Sequence, residues 1–195
     1  MRNILLLFIL ISTFCFSQDS ERFAFELKGN TFTGLGNNFI ADGTTTFTGF
    51  GAGFTGTFYK NFGLGIEFNK GYSEVSDVSV FGDLHNPQLT LFDIYALYRY
   101  DVNQKLSFEG NIGGGFSQLK SYSDYRIEKF TEGGNTFFLG GKALYSVTKN
   151  NSLVLVGGPR LYFMHTFTEM DDPKIEKYYS KATLLNFSLG LRLCF

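Results

Sequence analysis

Nine charged side chains sit inside stretches that otherwise alternate apolar residues with small or polar ones: Glu26, Lys28, Glu67, Asp93, Arg99, Glu109, Lys142, Arg160 and Arg192. All nine fall on the less apolar face of their stretch. Four acids and five bases gathered in one interior nearly neutralise each other, as an ion-paired network filling a lumen. The competing chemistry is an ion path or a polar pocket. His85 and His165 are the only side chains with an ordinary pKa near neutrality, so only they offer general-base chemistry there. Glu169 could orient His165, but no nucleophile is evident beside it. Asp171, Asp172 and Glu176 could hold a divalent cation, yet Lys174, Lys177 and Lys181 are interleaved with them, which reads as a mixed, solvated loop. Gly51-Ala52-Gly53-Phe54-Thr55-Gly56 matches the dinucleotide pattern G-x-G-x-x-G. That pattern works only between a strand and a helix whose N-terminus holds the pyrophosphate. Here a period of two runs through and past it, so no nucleotide is expected, and no other cofactor or metal.

The elements that must position these residues are strands. The clearest is the last, 182–195, where Leu185, Phe187, Leu189, Leu191, Leu193 and Phe195 alternate with Asn186, Ser188, Gly190, Arg192 and Cys194. A period of two over this length is a strand with one apolar face, long enough for a tilted membrane crossing. The same alternation predicts strands at 22–30, 46–59, 62–72, 88–100, 106–117, 135–148 and 153–167. Pairing Tyr59 with Gly63 sets Thr55 opposite Glu67 and aligns the apolar faces of the second and third. In the seventh, Val154 and Val156 share a face with Arg160, and Pro159 suggests a bulge. The connections alternate long and short, with a charged loop at 118–134, and no segment has helical periodicity. The fold class predicted is all-β: an eight-stranded antiparallel up-and-down transmembrane β-barrel with meander topology.

Residues 1–17 read as a cleaved signal peptide. Arg2 supplies the positive end, Ile4 to Phe16 an apolar stretch too short to span a bilayer, and Cys15 and Ser17 the small residues before the cut. Phe14 disfavours a lipoprotein site at Cys15. Residues 18–195 then form one domain, with Cys194 its single thiol and no intramolecular disulfide. A net charge of −1 gives no reason to expect nucleic acid. Phe (24), Gly (23) and Tyr (11) are abundant and Pro (3) scarce, as strands and membrane interfaces favour; with no Trp, any aromatic girdle must be Phe and Tyr.

The strand count, the loop alternation and a terminal strand ending in Phe195 resemble the small bacterial outer-membrane β-barrel domain family, the OmpA/OmpX-like eight-stranded group of Gram-negative bacteria. The resemblance spans residues 18–195 and rests on no catalytic motif. It implies an integral protein of the cell outer membrane, porin-like in architecture, with short turns and both termini in the periplasm. It also implies contact with outer-membrane lipid and lipopolysaccharide. Phe187, Leu189, Leu191, Leu193 and Phe195 would be the signal read by the barrel-assembly machinery. The expected role is structural or loop-mediated binding, with Tyr122, Tyr125, Tyr178 and Tyr179 offering either a surface for a protein or glycan ligand or, equally, anchors at the membrane interface. By analogy, a PorT-like member would be tied to protein secretion. Some barrels of this size modify lipid with a rim histidine, so an enzyme using His165 is the alternative. A soluble lipocalin-type lipid-binding barrel is the second, and it would be polar outside and apolar inside.

Overall fold

The computed structural model describes residues 23–59, 61–123, 126–168 and 170–195. The expected signal peptide lies outside them, as do Arg22, Tyr125 and Glu169. Eight strands, β1 (Phe23–Leu35), β2 (Phe47–Tyr59), β3 (Phe62–Tyr72), β4 (His85–Asp101), β5 (Leu106–Ser123), β6 (Arg126–Ser146), β7 (Leu153–Thr166) and β8 (Lys181–Cys194), close in chain order into an antiparallel barrel. The seam joins β1 to β8 from Ala24↔Cys194 to Leu35↔Thr183. Phe23 and Phe195 exchange both backbone hydrogen bonds, at 3.2 and 2.9 Å, so both chain ends meet at one rim. Closure leaves no unpaired sheet edge.

Four features differ from the sequence reading. First, β3 lies two residues away from the expected register: Thr57 pairs with Gly63 and Gly53 with Glu67, with an irregularity between Thr57 and Tyr59. A shift of two keeps every side chain on its face, so alternation alone is blind to it. Second, the charged loop expected at 118–134 is largely strand, because β5 and β6 stay paired out to Ser123↔Arg126. Beyond an apolar band both faces of a hairpin can be polar, so its residues imitate a loop. Third, Pro159 causes no bulge. The β7–β8 register runs unbroken from Leu153↔Leu193 to His165↔Lys181, and only the β6 ladder lapses opposite the proline, between Gly140↔Arg160 and Ala143↔Gly157. A residue lacking an N–H weakens one ladder without displacing the chain. Fourth, the long loops carry helices: α1 (Phe39–Gly43), α2 (Val78–Phe81) and α3 (Pro173–Ser180).

Each helix begins at a side-chain cap. Asn38 accepts from the Ala41 N–H at 3.0 Å, Asp77 from Ser79 at 2.8 Å, and Asp172 from Lys174 at 2.8 Å just before Pro173. The three pack together over the rim opposite the chain ends. Phe39 stacks on Phe81 and packs at a tilt against Tyr179, the Tyr178 hydroxyl donates to Asp42 at 2.8 Å, and that of Tyr179 to the Val80 carbonyl at 3.2 Å. Burial, together with the Asp42 bond, pushes the Tyr178 phenol up to about 12, so this tie keeps its proton at any ordinary pH.

Inside the barrel the side chains form layers. Under the helical cap lies an apolar core that includes Phe32, Phe47, Leu89, Leu91, Leu119, Phe138, Tyr162, Met164 and Leu184. Burying each large side chain contributes roughly 1.5–3 kcal/mol. A charged layer follows, and near the chain ends a small cluster of Leu144, Val154 and Val156, with Cys194 packed against it. Gly65 leaves the room the Tyr95 ring needs: a methyl on it would stand 2.6 Å from Tyr95 Cε2.

Candidate functional site

The period of two turns one side chain per strand into the lumen at each level, and that brings together charges far apart in sequence. Glu26 on β1 receives Lys142 Nζ from β6 at 2.8 Å and Arg192 Nε from β8 at 2.7 Å. Arg192 also forks onto Glu109 of β5, at 2.9 and 3.0 Å. Glu67 on β3 takes Lys28 Nζ at 2.6 Å and Arg160 Nη1 at 2.6 Å, with Lys142 Nζ at 3.8 Å and the Asn69 amide donating at 2.8 Å. Lys142 therefore lies between both carboxylates, and the network ties opposite walls of the barrel. Glu26 and Arg192 are wholly buried, and Lys28, Glu67, Glu109, Lys142 and Arg160 nearly so.

Asp93 and Arg99 sit apart. Asp93 is buried against the apolar core, where Tyr162 donates to it at 2.9 Å and Thr136 at 3.4 Å. The same Tyr162 oxygen accepts from Arg160 at 3.3 Å, so it joins the two groups. Arg99 lies toward the chain-end rim, half-buried and 3.8 Å from Glu109. Aromatic rings line the boundary between layers: Arg160 lies over Tyr95 and Phe138, 5.0 and 4.8 Å from their centroids, and Phe138 packs on Tyr162 at 5.0 Å. Sequence reasoning missed Phe138 and Tyr162 as lumen residues because alternation sorts faces and does not show which side chains meet. Their placement inward beside Lys142 and Arg160 was the available signal.

Tyr162→Phe is expected to cost about 1–3 kcal/mol, because among the described residues it leaves the buried Asp93 carboxylate with its long hydrogen bond to Thr136 alone. Urea titration of the detergent-solubilised barrel measures it, and an unchanged midpoint would show that the hydroxyl carries no structural load.

Among the described residues, the other candidates do not assemble a reaction centre. His165 points outward from β7 at the capped rim, and among the described residues its imidazole makes no hydrogen bond or ion pair. His85 is exposed and 3.9 Å from Asp83. Asp172 is engaged as the α3 cap, and no group of three or more potential metal ligands occurs among the described residues. The Gly51–Gly56 segment lies within β2, with no helix following it.

The outer wall is ordered in rows. Phe68, Phe92 and Phe116 are register neighbours, as are Phe137 and Phe163. One outward position nearer the cap the row turns polar, with Lys70, Thr90 and Gln118 on β3–β5 and His165 paired to Lys181 on β7–β8. At the opposite edge Tyr98 packs on Phe62 at 4.8 Å, and Tyr100 pairs with Phe108. Phe92 to Tyr100 is about nine residues of strand, the length of a tilted bilayer crossing. Between these edges the outward residues include Leu27, Phe54, Leu64, Ile66, Ile94, Ile112, Leu139, Leu189 and Leu191, all exposed.

No protein-family model and no curated protein matches the sequence. Solved structures do match. Neisserial surface protein A aligns with a TM-score of 0.61 at 10% identity, over 89% of this chain and 97% of its own. A major outer membrane protein of Thermus thermophilus aligns at 0.60 and 12%, over 89% and 99%. Ail of Yersinia pestis, solved with the heparin analogue sucrose octasulfate, aligns at 0.51 and 13%, over 90% and 97%. This chain therefore has the fold of the small eight-stranded outer-membrane β-barrels.

Proposed function

We propose that this protein is an integral outer-membrane barrel with both termini in the periplasm, a lumen closed to ions, and a binding role carried by its capped end. The observation that carries this reading is the sorting of polarity. Every charge on the membrane-depth part of the strands points inward, and the outer wall between its two aromatic edges is exposed and apolar. That is the reverse of a soluble lipid carrier, and a single basic residue on such a wall costs roughly 2–4 kcal/mol at mid-depth. The short turns at the chain-end rim and long loops at the other support the orientation, with the strand from Phe187 to Phe195 serving as the assembly signal. Salt bridges across the lumen and an aromatic core under the cap support closure, since an eight-stranded barrel is just wide enough to be filled by side chains. Ail, which shares this fold, was solved with a heparin analogue, and the role proposed here is binding of a protein or glycan ligand by the loops of the capped end.

Membrane fractionation with electrophoresis in SDS, boiled and unboiled, tests the placement, and planar-bilayer recording tests closure. The expected result is an outer-membrane protein whose mobility shifts on heating and which passes no current above baseline. A soluble protein without a shift would reject the placement, and steady channels would reject the closed lumen.

A further inference from the structure

A groove of about 760 Å³ opens at the capped rim between α3 and the outer wall of β1, β7 and β8. Its upper wall is basic. Lys174, Lys177 and Lys181 recur at spacings of three and four, which puts them along one side of α3 and its end, and Lys181 is the register partner of His165. All four side chains are exposed, and among the described residues none makes an ion pair. Of the nearby carboxylates, Asp42 accepts from Tyr178 and Asp172 caps α3 through the Lys174 N–H, while Asp171 and Glu176 form no ion pair with these lysines. Three cations held on one groove repel each other unless an anion lies among them. The lower wall is apolar. One outward row below Lys181 and His165 lie Thr183, Phe163 and Leu35, with Leu35 paired to Thr183 and Thr183 to Phe163, and this row is continuous with the lipid-facing wall.

We propose that this groove binds the phosphorylated headgroup of a membrane lipid, with an acyl chain laid down the wall from Phe163 and Leu35. The inference rests on the membrane placement proposed above. A free phosphate would gain from the lysines alone, whereas a lipid gains from both walls. The basic row also stands at the edge of the apolar band, the depth at which headgroup phosphates lie.

The test refolds the full mature chain into phosphatidylcholine nanodiscs carrying either diphosphoryl lipid A or its dephosphorylated form. Lipid retained through purification is then quantified by native mass spectrometry. Each lysine at such a surface contributes about fivefold, so Lys174→Gln/Lys177→Gln/Lys181→Gln is expected to lose retention on the order of a hundredfold. Lys177→Gln alone, on an exposed helix face, is expected to lose about fivefold and guards against a folding defect in the triple variant. Both should keep the heat-dependent mobility shift. Equal retention of the two lipid forms, or unchanged retention in the triple variant, overturns the proposal. Displacement of the lipid by excess inorganic phosphate would reassign the groove to a free oxyanion. A chain that fails to enter nanodiscs and shows no shift rejects the membrane placement itself, an outcome distinct from a barrel that inserts without selecting phosphate.

Discussion

Arg192→Met is expected to lower the unfolding free energy by about 3–5 kcal/mol, the cost of stranding a buried charge by removing its partner. Arg192 is wholly buried and serves two carboxylates, Glu26 through Nε at 2.7 Å and Glu109 through both terminal nitrogens. Without it Glu26 keeps Lys142, but the ion pair left to Glu109 among the described residues is the one with Arg99, 3.8 Å away at the rim. Arg192→Lys retains the charge and loses the fork, so its effect should be smaller. Because the chain has no Trp, unfolding in urea is followed by the loss of the heat-shifted band or by tyrosine fluorescence. A methionine variant as stable as the parent would mean that the charged layer fills the lumen without holding it together.

Ile66→Arg should cost roughly 2–4 kcal/mol and remove most of the assembled form, since it puts a basic side chain on the outer wall at mid-depth. Ile66 is exposed between Phe54 and Ile94 in register, well inside both aromatic edges. Ile66→Ala changes little that faces lipid and serves as the control. The readout is the fraction of protein in the outer membrane with the unboiled mobility. The two substitutions probe opposite faces of the wall, one losing a charge inside and the other gaining one outside. If Ile66→Arg assembles as well as Ile66→Ala, the outer wall does not meet hydrocarbon.

The cap shows where the reading of the chain falls short. The three helices run from four to eight residues, too short for a 3.6-residue period to declare itself. Their signals are local ones: Asn38, Asp77 and Asp172 each stand immediately before a helix, the last followed by Pro173. Those signals sit in polar loops, where Asn and Asp are equally at home in turns. The aromatic contacts among Phe39, Phe81 and Tyr179 join three separate loops, so nothing in any one loop announces them. The β5–β6 hairpin misleads for the opposite reason, because a strand that leaves the apolar band no longer alternates in hydropathy.

What the sequence determined by itself is the set of faces. Alternation is a property of neighbours along one strand, so the eight strands, the apolar outer wall and the inward turn of Glu26, Glu67, Lys142, Arg160 and Arg192 can be read without knowing how any strand pairs. Tertiary structure alone decided the partners. Which cation reaches Glu26, whether Asp93 meets Arg160 directly or through Tyr162, and which end of the lumen is apolar all depend on register and on the tilt of the closed sheet. A register shift of two residues leaves every face unchanged while moving each side chain about 7 Å along its strand, which exceeds the reach of a salt bridge.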